Sequence, residues 1–399
     1  MNIKNINIRN NREFTLISHA LRYIVNGQLS SEFESLLSDK NIDWHLLNNL
    51  LFYHEIAPFF YVAAKHYKCL LPSDMEKVLS WIYCRTALQN QLILETYSDI
   101  YDAFRSNGVG LLPIKGAALL QDLYEKFPVR PMSDIDCLVR ETDYEKSKDI
   151  LKSANYDIDL RGLSESYWIM KQCHVPFSAR QKKAMVNPAV ELHLRLDFKR
   201  YGREPLPYVW QRARDINING KNFLRLSPED SLFSLALHQR RFGKPLCLKY
   251  ALDTALLFKK YENDFDWDYV INMCVKERMR NCVYFLLFQA EVLLPGHSGI
   301  AKGLRLLRPD FLKRKMMERF ILDNTASGYL FERIRPNYLR SHFLLYDSLV
   351  EPVMYIINIP KEQFAKYYCL PFDDKKTEIA YRFRTAYIIG RFLKKKRKN

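Results

Sequence analysis

The chain has 399 residues, 48% hydrophobic and 27% charged, and its formal net charge is +16. This balance excludes a disordered chain and leaves room for two or three domains around a sizeable core. No stretch reaches the roughly 18 uninterrupted apolar residues of a membrane span, and the N-terminal MNIKNINIRNNREF has no apolar signal region, so a cytoplasmic protein is expected.

Residues 13 to 107 read as helical. The clearest start is Pro72-Ser73-Asp74-Met75-Glu76, where Ser73 and Glu76 have the spacing of a capping box. Apolar residues at helical spacing (Val78, Ile82, Leu88, Leu92 and Phe104) follow it up to a stop at Gly108. The pattern then changes. Gly110-Leu111-Leu112-Pro113-Ile114 is a short apolar run closed by Lys115-Gly116, and Ala117 to Glu125 is again helical. After the turn Phe127-Pro128-Val129-Arg130-Pro131, the segment Ser133 to Val139 alternates as a half-buried strand should. Ile135, Cys137 and Val139 lie on one face, Asp134 and Asp136 on the other. Residues 143 to 154 read as helix. Ala189 to Leu196 is the cleanest strand, with Glu191, His193 and Arg195 on the face opposite Val190, Leu192, Leu194 and Leu196. From Ser227-Pro228-Glu229-Asp230 onward helix dominates. Ser227 is placed to cap, and the proline and acids suit a first turn.

The expected fold class is α+β: a small mixed-sheet core at 108–226, between an N-terminal helical region at 1–107 and a C-terminal helical domain at 227–390, with a basic tail at 391–399. The eight cysteines form no Cys-x-x-Cys pair and lie mostly in apolar surroundings, so reduced thiols are expected, without a disulfide framework or a zinc site.

Two aspartates at i and i+2 on one strand face lie about 6.6 Å apart along the chain, close enough to share a pair of metal ions. Mg²⁺ (or Mn²⁺) wants hard oxygen ligands, and a third carboxylate on a neighbouring strand can complete such a site. A triphosphate is held by backbone N–H groups at a helix start, helped by a nearby cation. Asp134, Asp136, Glu191 and the Lys115-Gly116 turn supply these parts in order. Asp-x-Asp alone is a weak signal. Asp157-Ile158-Asp159 lacks a preceding glycine turn, and Asp264-Phe265-Asp266-Trp267-Asp268 reads as an exposed turn ahead of a helix.

Leu112-Pro113-Ile114-Lys115-Gly116-Ala117-Ala118-Leu119, Arg130-Pro131-Met132-Ser133-Asp134-Ile135-Asp136-Cys137-Leu138-Val139 and Val190-Glu191-Leu192-His193 resemble the uncharacterised bacterial nucleotidyltransferases of the polymerase-beta-like superfamily, relatives of the abortive-infection nucleotidyltransferase toxins. The resemblance runs over about residues 80 to 300 and takes in His174, Ser227, His238 and Asp253. It implies an NTP donor, metal and catalytic roles for Asp134, Asp136 and Glu191, and nucleotide contacts from Lys115, Gly116, Arg130 and Ser133. One departure is the superfamily's Gly-Ser turn, which is Lys115-Gly116 here. Lys115 then stands in for the missing serine hydroxyl at the phosphates.

Arg130 reads as a phosphate contact or an ion pair with the carboxylates, or equally as a structural salt bridge organising the turn. His193 is an accessory candidate that would orient Glu191 or meet substrate, against the commoner local hydrogen bond of a strand histidine. His238-Gln239-Arg240-Arg241 reads as a solvated helix face, with a phosphate contact from the helical domain as the alternative. The positive surplus and the tail, with Arg391, Lys394, Lys395, Lys396, Arg397 and Lys398, fit RNA or another polyanion, which makes RNA the first acceptor class. A non-catalytic module binding nucleic acid or protein on the same fold is the competing reading.

Overall fold

The computed structural model describes residues 11–180, 188–197, 206, 208–218, 220–241, 246–325, 335–388 and 390. The basic tail lies outside them. The N-terminal region is indeed helical, but in pieces: Arg12–Asn26, Ser31–Leu37, Trp44–Tyr53, Ala57–Ala64 and the 34-residue Ser73–Ser106. Local chemistry sets the breaks. Asn11 caps the first helix by accepting from the Phe14 N–H at 2.7 Å, and Gly27, at φ +78°, ends it. Asp43 caps the third through the His45 and Leu46 N–H groups. The expected capping box at Ser73 does not form. Pro72 takes the cap position one residue earlier, without a side-chain cap bond, and Glu76 accepts instead from the Tyr61 hydroxyl.

A mixed five-stranded sheet follows, in the order β1-β2-β5-β4-β3. Its strands are β1 (Leu112–Pro113), β2 (Asp134–Leu138), β3 (Tyr156–Ile158), β4 (His174–Ala179) and β5 (Ala189–His193). Only β2 and β5 run parallel, and the other neighbours are antiparallel. Pro113 sits on an edge strand, where a missing N–H costs no ladder bond. One face of the sheet carries Ile135, Cys137, Val175, Phe177, Val190 and Leu192, all buried with Ile93, Tyr97, Ile100 and Phe104 of the long helix. β5 ends at His193, shorter than the alternation predicts. Arg195 lies past the strand, where it pairs with Glu141 at 2.6 Å and donates to the Ile169 carbonyl at 3.0 Å.

A separate hairpin of β6 (Arg214–Ile218) and β7 (Lys221–Arg225) leads to the C-terminal helices, which begin with Pro228–Arg241, Leu248–Tyr261, Trp267–Lys276 and Arg280–Leu293. Ser227 caps the first as expected, its hydroxyl accepting from the Asp230 N–H at 3.1 Å. The expected solvated face on that helix is wrong. Gln239 and Arg240 are buried, and the Arg240 guanidinium pairs with Asp197 at 2.6 Å and lies over the Tyr346 ring. His238 meets the Tyr250 hydroxyl at 2.9 Å, and the Arg241 side chain lies outside the described residues. The N-terminal and C-terminal helices share one hydrophobic core, which includes Phe14, Leu21, Phe60, Phe233, Leu252 and Phe285. The structure is therefore α+β, with helices flanking a small mixed sheet. Among the described residues, no helix is long and apolar enough to cross a membrane.

Candidate active site

The site lies on the sheet face turned away from the aliphatic core. Side chains of a strand alternate faces, so Asp134 and Asp136 point one way while Ile135 and Cys137 enter the core. In the parallel β2–β5 pair, Asp136 stands directly opposite Glu191 and Asp134 opposite Ala189. In the antiparallel β4–β5 pair, His174 stands opposite His193. Two aspartates, one glutamate and two histidines from three adjacent strands therefore share one face.

Lys115 completes the cluster from β1's end. The Ile114 N–H donates to the Asp136 carbonyl at 3.0 Å, which fixes the start of helix Lys115–Leu123 beside β2. The Lys115 ammonium donates to Asp136 Oδ1 at 2.7 Å and lies 3.4 Å from His193 Nε2, which itself meets Asp136 Oδ1 at 2.8 Å. Burial alone would raise the Asp136 carboxyl, but Lys115 and His193 outweigh it and hold the group ionised, well below the usual carboxylate range. Asp134 behaves oppositely. Burial and the neighbouring charges of Asp136 and Glu191 push it up to about 7, against the weaker pull of Lys115 and Lys249. A carboxylate held up by burial and by like charges gains from a neighbouring cation. Asp134, Asp136 and Glu191 thus offer hard oxygen donors on one face of the sheet.

The backbone at Lys115 is left-handed, with φ +54°. That conformation costs a residue with a Cβ about 1–2 kcal/mol, and glycine almost nothing. Lys115→Gly and Lys115→Ala both remove the ammonium, so comparing them isolates the strain. Thermal or urea melts are expected to show the glycine variant more stable than the alanine variant by about 1 kcal/mol. Equal stabilities would mean that the helix start relaxes in the variants. Gly116 follows because space is short: a Cβ there would stand 3.3 Å from both Cβ and Sδ of Met132.

The turn before β2 is clamped from both helical regions. From the long helix, Gln89 donates to the Met132 carbonyl at 2.8 Å. Asn90 donates to the carbonyls of Pro128 and Arg130 at 2.9 and 3.0 Å. From helix Leu248–Tyr261, Asp253 receives Nε and Nη2 of Arg130, both at 2.8 Å, and the Tyr124 hydroxyl at 2.6 Å. Lys249 donates to the Pro131 carbonyl at 3.3 Å. Arg130 and Asp253 are 4% and 0% exposed. Among the readings of Arg130, this contact is the structural salt bridge that organises the turn, with Asp253 as the partner.

The structure thus brings Asp134, Asp136, Glu191, Lys115 and His193 together, with Gly116 at the adjoining helix start and Ser133 exposed just ahead of β2. The other Asp-x-Asp motifs lie elsewhere. Asp157 pairs with Arg180 on the exposed β3 edge, and Asp266 caps helix Trp267–Lys276. Sequence reasoning gave His174 no role, although the family resemblance takes it in. Alternation was the further signal, since Val175 and Phe177 enter the core and leave His174 on the face of Glu191.

The family model of the uncharacterised nucleotidyltransferases matches residues 40–295. The chain belongs to that family. The match spans the sheet, the clamp and the first C-terminal helices, so every member of the cluster falls within it. Membership supports a nucleotidyltransferase activity and a nucleotide substrate. No curated protein and no solved structure matches the chain.

Proposed function

We propose that the protein is a metal-dependent nucleotidyltransferase that takes an NTP as donor and passes a nucleoside monophosphate to a hydroxyl or phosphate oxygen of an acceptor, with release of pyrophosphate. The observation that carries this reading is the pairing of Asp136 with Glu191 across parallel strands, with Asp134 on the same face pushed up to about 7. Such a cluster is unfavourable by itself and becomes favourable with a divalent cation. Mg²⁺ or Mn²⁺ bound there supplies charge neutralisation at the reacting phosphate. Asp134 and Asp136 would hold the ion, and Glu191 would complete the site or accept the acceptor's hydroxyl proton. Helix Lys115–Leu123 starts at Lys115, beside Asp136, and its first backbone N–H groups and positive dipole end would receive the triphosphate. The Lys115 ammonium, already beside Asp136, would turn to the phosphates once a metal ion neutralises that carboxylate. The net charge of +16 supports RNA as the first acceptor class to test.

The contact of Lys115 with Asp136 also favours a second reading. A tethered ammonium already neutralises the central carboxylate, as a non-catalytic module that binds nucleic acid or a partner protein would require. Thermal shift with each of the four NTPs, with and without Mg²⁺, separates the two. The enzyme reading expects a nucleotide shift that needs metal and disappears in Asp134→Ala/Asp136→Ala. Absence of any nucleotide shift in the folded wild type would favour the binding module. A positive result leads to a labelled-NTP screen for acceptors that begins with RNA.

A further inference from the structure

The carboxylate cluster continues into a nitrogen-rich corner. His174 and His193 are Cα partners on β4 and β5, and Glu191 lies two residues before His193 on the same face. Nε2 of His174 is 3.5 Å and Nε2 of His193 is 3.7 Å from one atom, Glu191 Oε2. The ligand atoms of all three lie within 4.8 Å of one another. These separations are long for hydrogen bonds, whose N···O distances run about 2.7–3.2 Å. They approach the roughly 3.3 Å that separates two donors on one tetrahedral ion with bonds of about 2.0–2.1 Å. Both histidines are nearly sealed, at 2% and 1% exposed, while Glu191 reaches the opening of the face.

We propose that His174, His193 and Glu191 bind a nitrogen-ligated divalent transition ion, of the Zn²⁺ or Co²⁺ class, beside the Asp134–Asp136 pair. Imidazole suits such ions, whereas Mg²⁺ keeps to oxygen ligands and water. His193 Nε2 now lies within hydrogen-bond distance of Asp136 Oδ1, at 2.8 Å, a contact it would give up to the ion. Binding there would release the Lys115 ammonium, which lies against both Asp136 Oδ1 and His193 Nε2. Three protein ligands with one replaceable position make an open site rather than a closed structural one. The inference shares Glu191 with the proposed enzyme but does not depend on nucleotide transfer.

Co²⁺ titration of the full chain, read by its visible d–d absorption, tests this directly. One ion per chain is expected to bind, with a band that excess Mg²⁺ does not remove. His174→Gln and His193→Gln, each checked for folding by circular dichroism, are expected to bind Co²⁺ at least about tenfold more weakly, since even outer-shell partners of a metal are worth that much. Asp134→Asn is expected to keep the band. Loss of the wild-type band in excess Mg²⁺ would overturn the proposal without recourse to variants. So would unchanged affinity in both folded histidine variants. A thiolate charge-transfer band would overturn it too, assigning the ion to the exposed Cys84 or Cys369. A metal-dependent NTP shift that persists with no Co²⁺ site would remove this inference and leave the enzyme reading intact.

Discussion

Asp253→Ala is expected to destabilise the protein by about 3–5 kcal/mol, enough to lower Tm by many degrees or to prevent soluble expression. The physical reason is asymmetric. A buried, bidentate Arg–Asp pair repays its desolvation only while both members are present. Burial alone would lower the Arg130 pKa and Asp253 outweighs it; a guanidinium does not deprotonate near neutral pH even without its partner, so Arg130 stays charged if Asp253 goes. The Tyr124 hydroxyl loses its acceptor at the same time. Arg130→Met/Asp253→Leu, which removes both charges, is expected to recover much of the loss because no orphaned ion remains. Urea melts of the three chains test this. A double variant no more stable than Asp253→Ala would show that the pair matters for its geometry rather than for mutual neutralisation. The effect on function follows the effect on the fold, because Arg130 anchors the turn that aims Asp134 and Asp136.

Asp134→Asn is expected to do the reverse and stabilise the metal-free protein at alkaline pH. The Asp134 pKa is pushed up to about 7 from an ordinary 3.8, so between those values the folded chain binds more protons than the unfolded one. Stability therefore falls as pH rises through that window, and the full penalty applies above about pH 7. A shift of about 3 units corresponds to at most about 4 kcal/mol, and solvent at this half-buried site reduces it. Melts are expected to show the asparagine variant ahead by about 1–3 kcal/mol at pH 8, with the gain shrinking toward pH 4. In the wild type, a divalent cation at pH 8 is expected to supply comparable relief, and to raise Tm less at pH 5 where Asp134 is already protonated. An asparagine variant no more stable than wild type at pH 8 would mean that the like charges are relieved by other means.

The parts of this site that sequence revealed are those governed by local geometry. The alternation around Asp134 and Asp136 fixes which side chains share a face, because a strand's period is two whatever it pairs with. Glu191 was legible for the same reason, and Ser227 because a cap bonds its own helix. What remained hidden depends on partners far along the chain. Arg130 looked equally suited to phosphate or to an ion pair, since only packing could bring Asp253 to it across 123 residues. Arg240 looked solvated, because nothing local shows that Asp197 and Tyr346 will receive it. His174 carried a signal, but the register that sets it opposite His193 belongs to the assembled sheet.

The wide spacing of the clamp also orders events during synthesis. Asp136 leaves the ribosome well before His193, 57 residues later, and the Arg130 anchor waits 123 residues for Asp253. At about 5–20 residues per second, that second interval lasts about 6–25 s. In it the nascent chain carries both aspartates and the Gln89 and Asn90 side of the clamp, but not the Asp253 side. The clamp is completed late, and a chain truncated before helix Leu248–Tyr261 would hold every cluster residue with only the Gln89–Asn90 half of it.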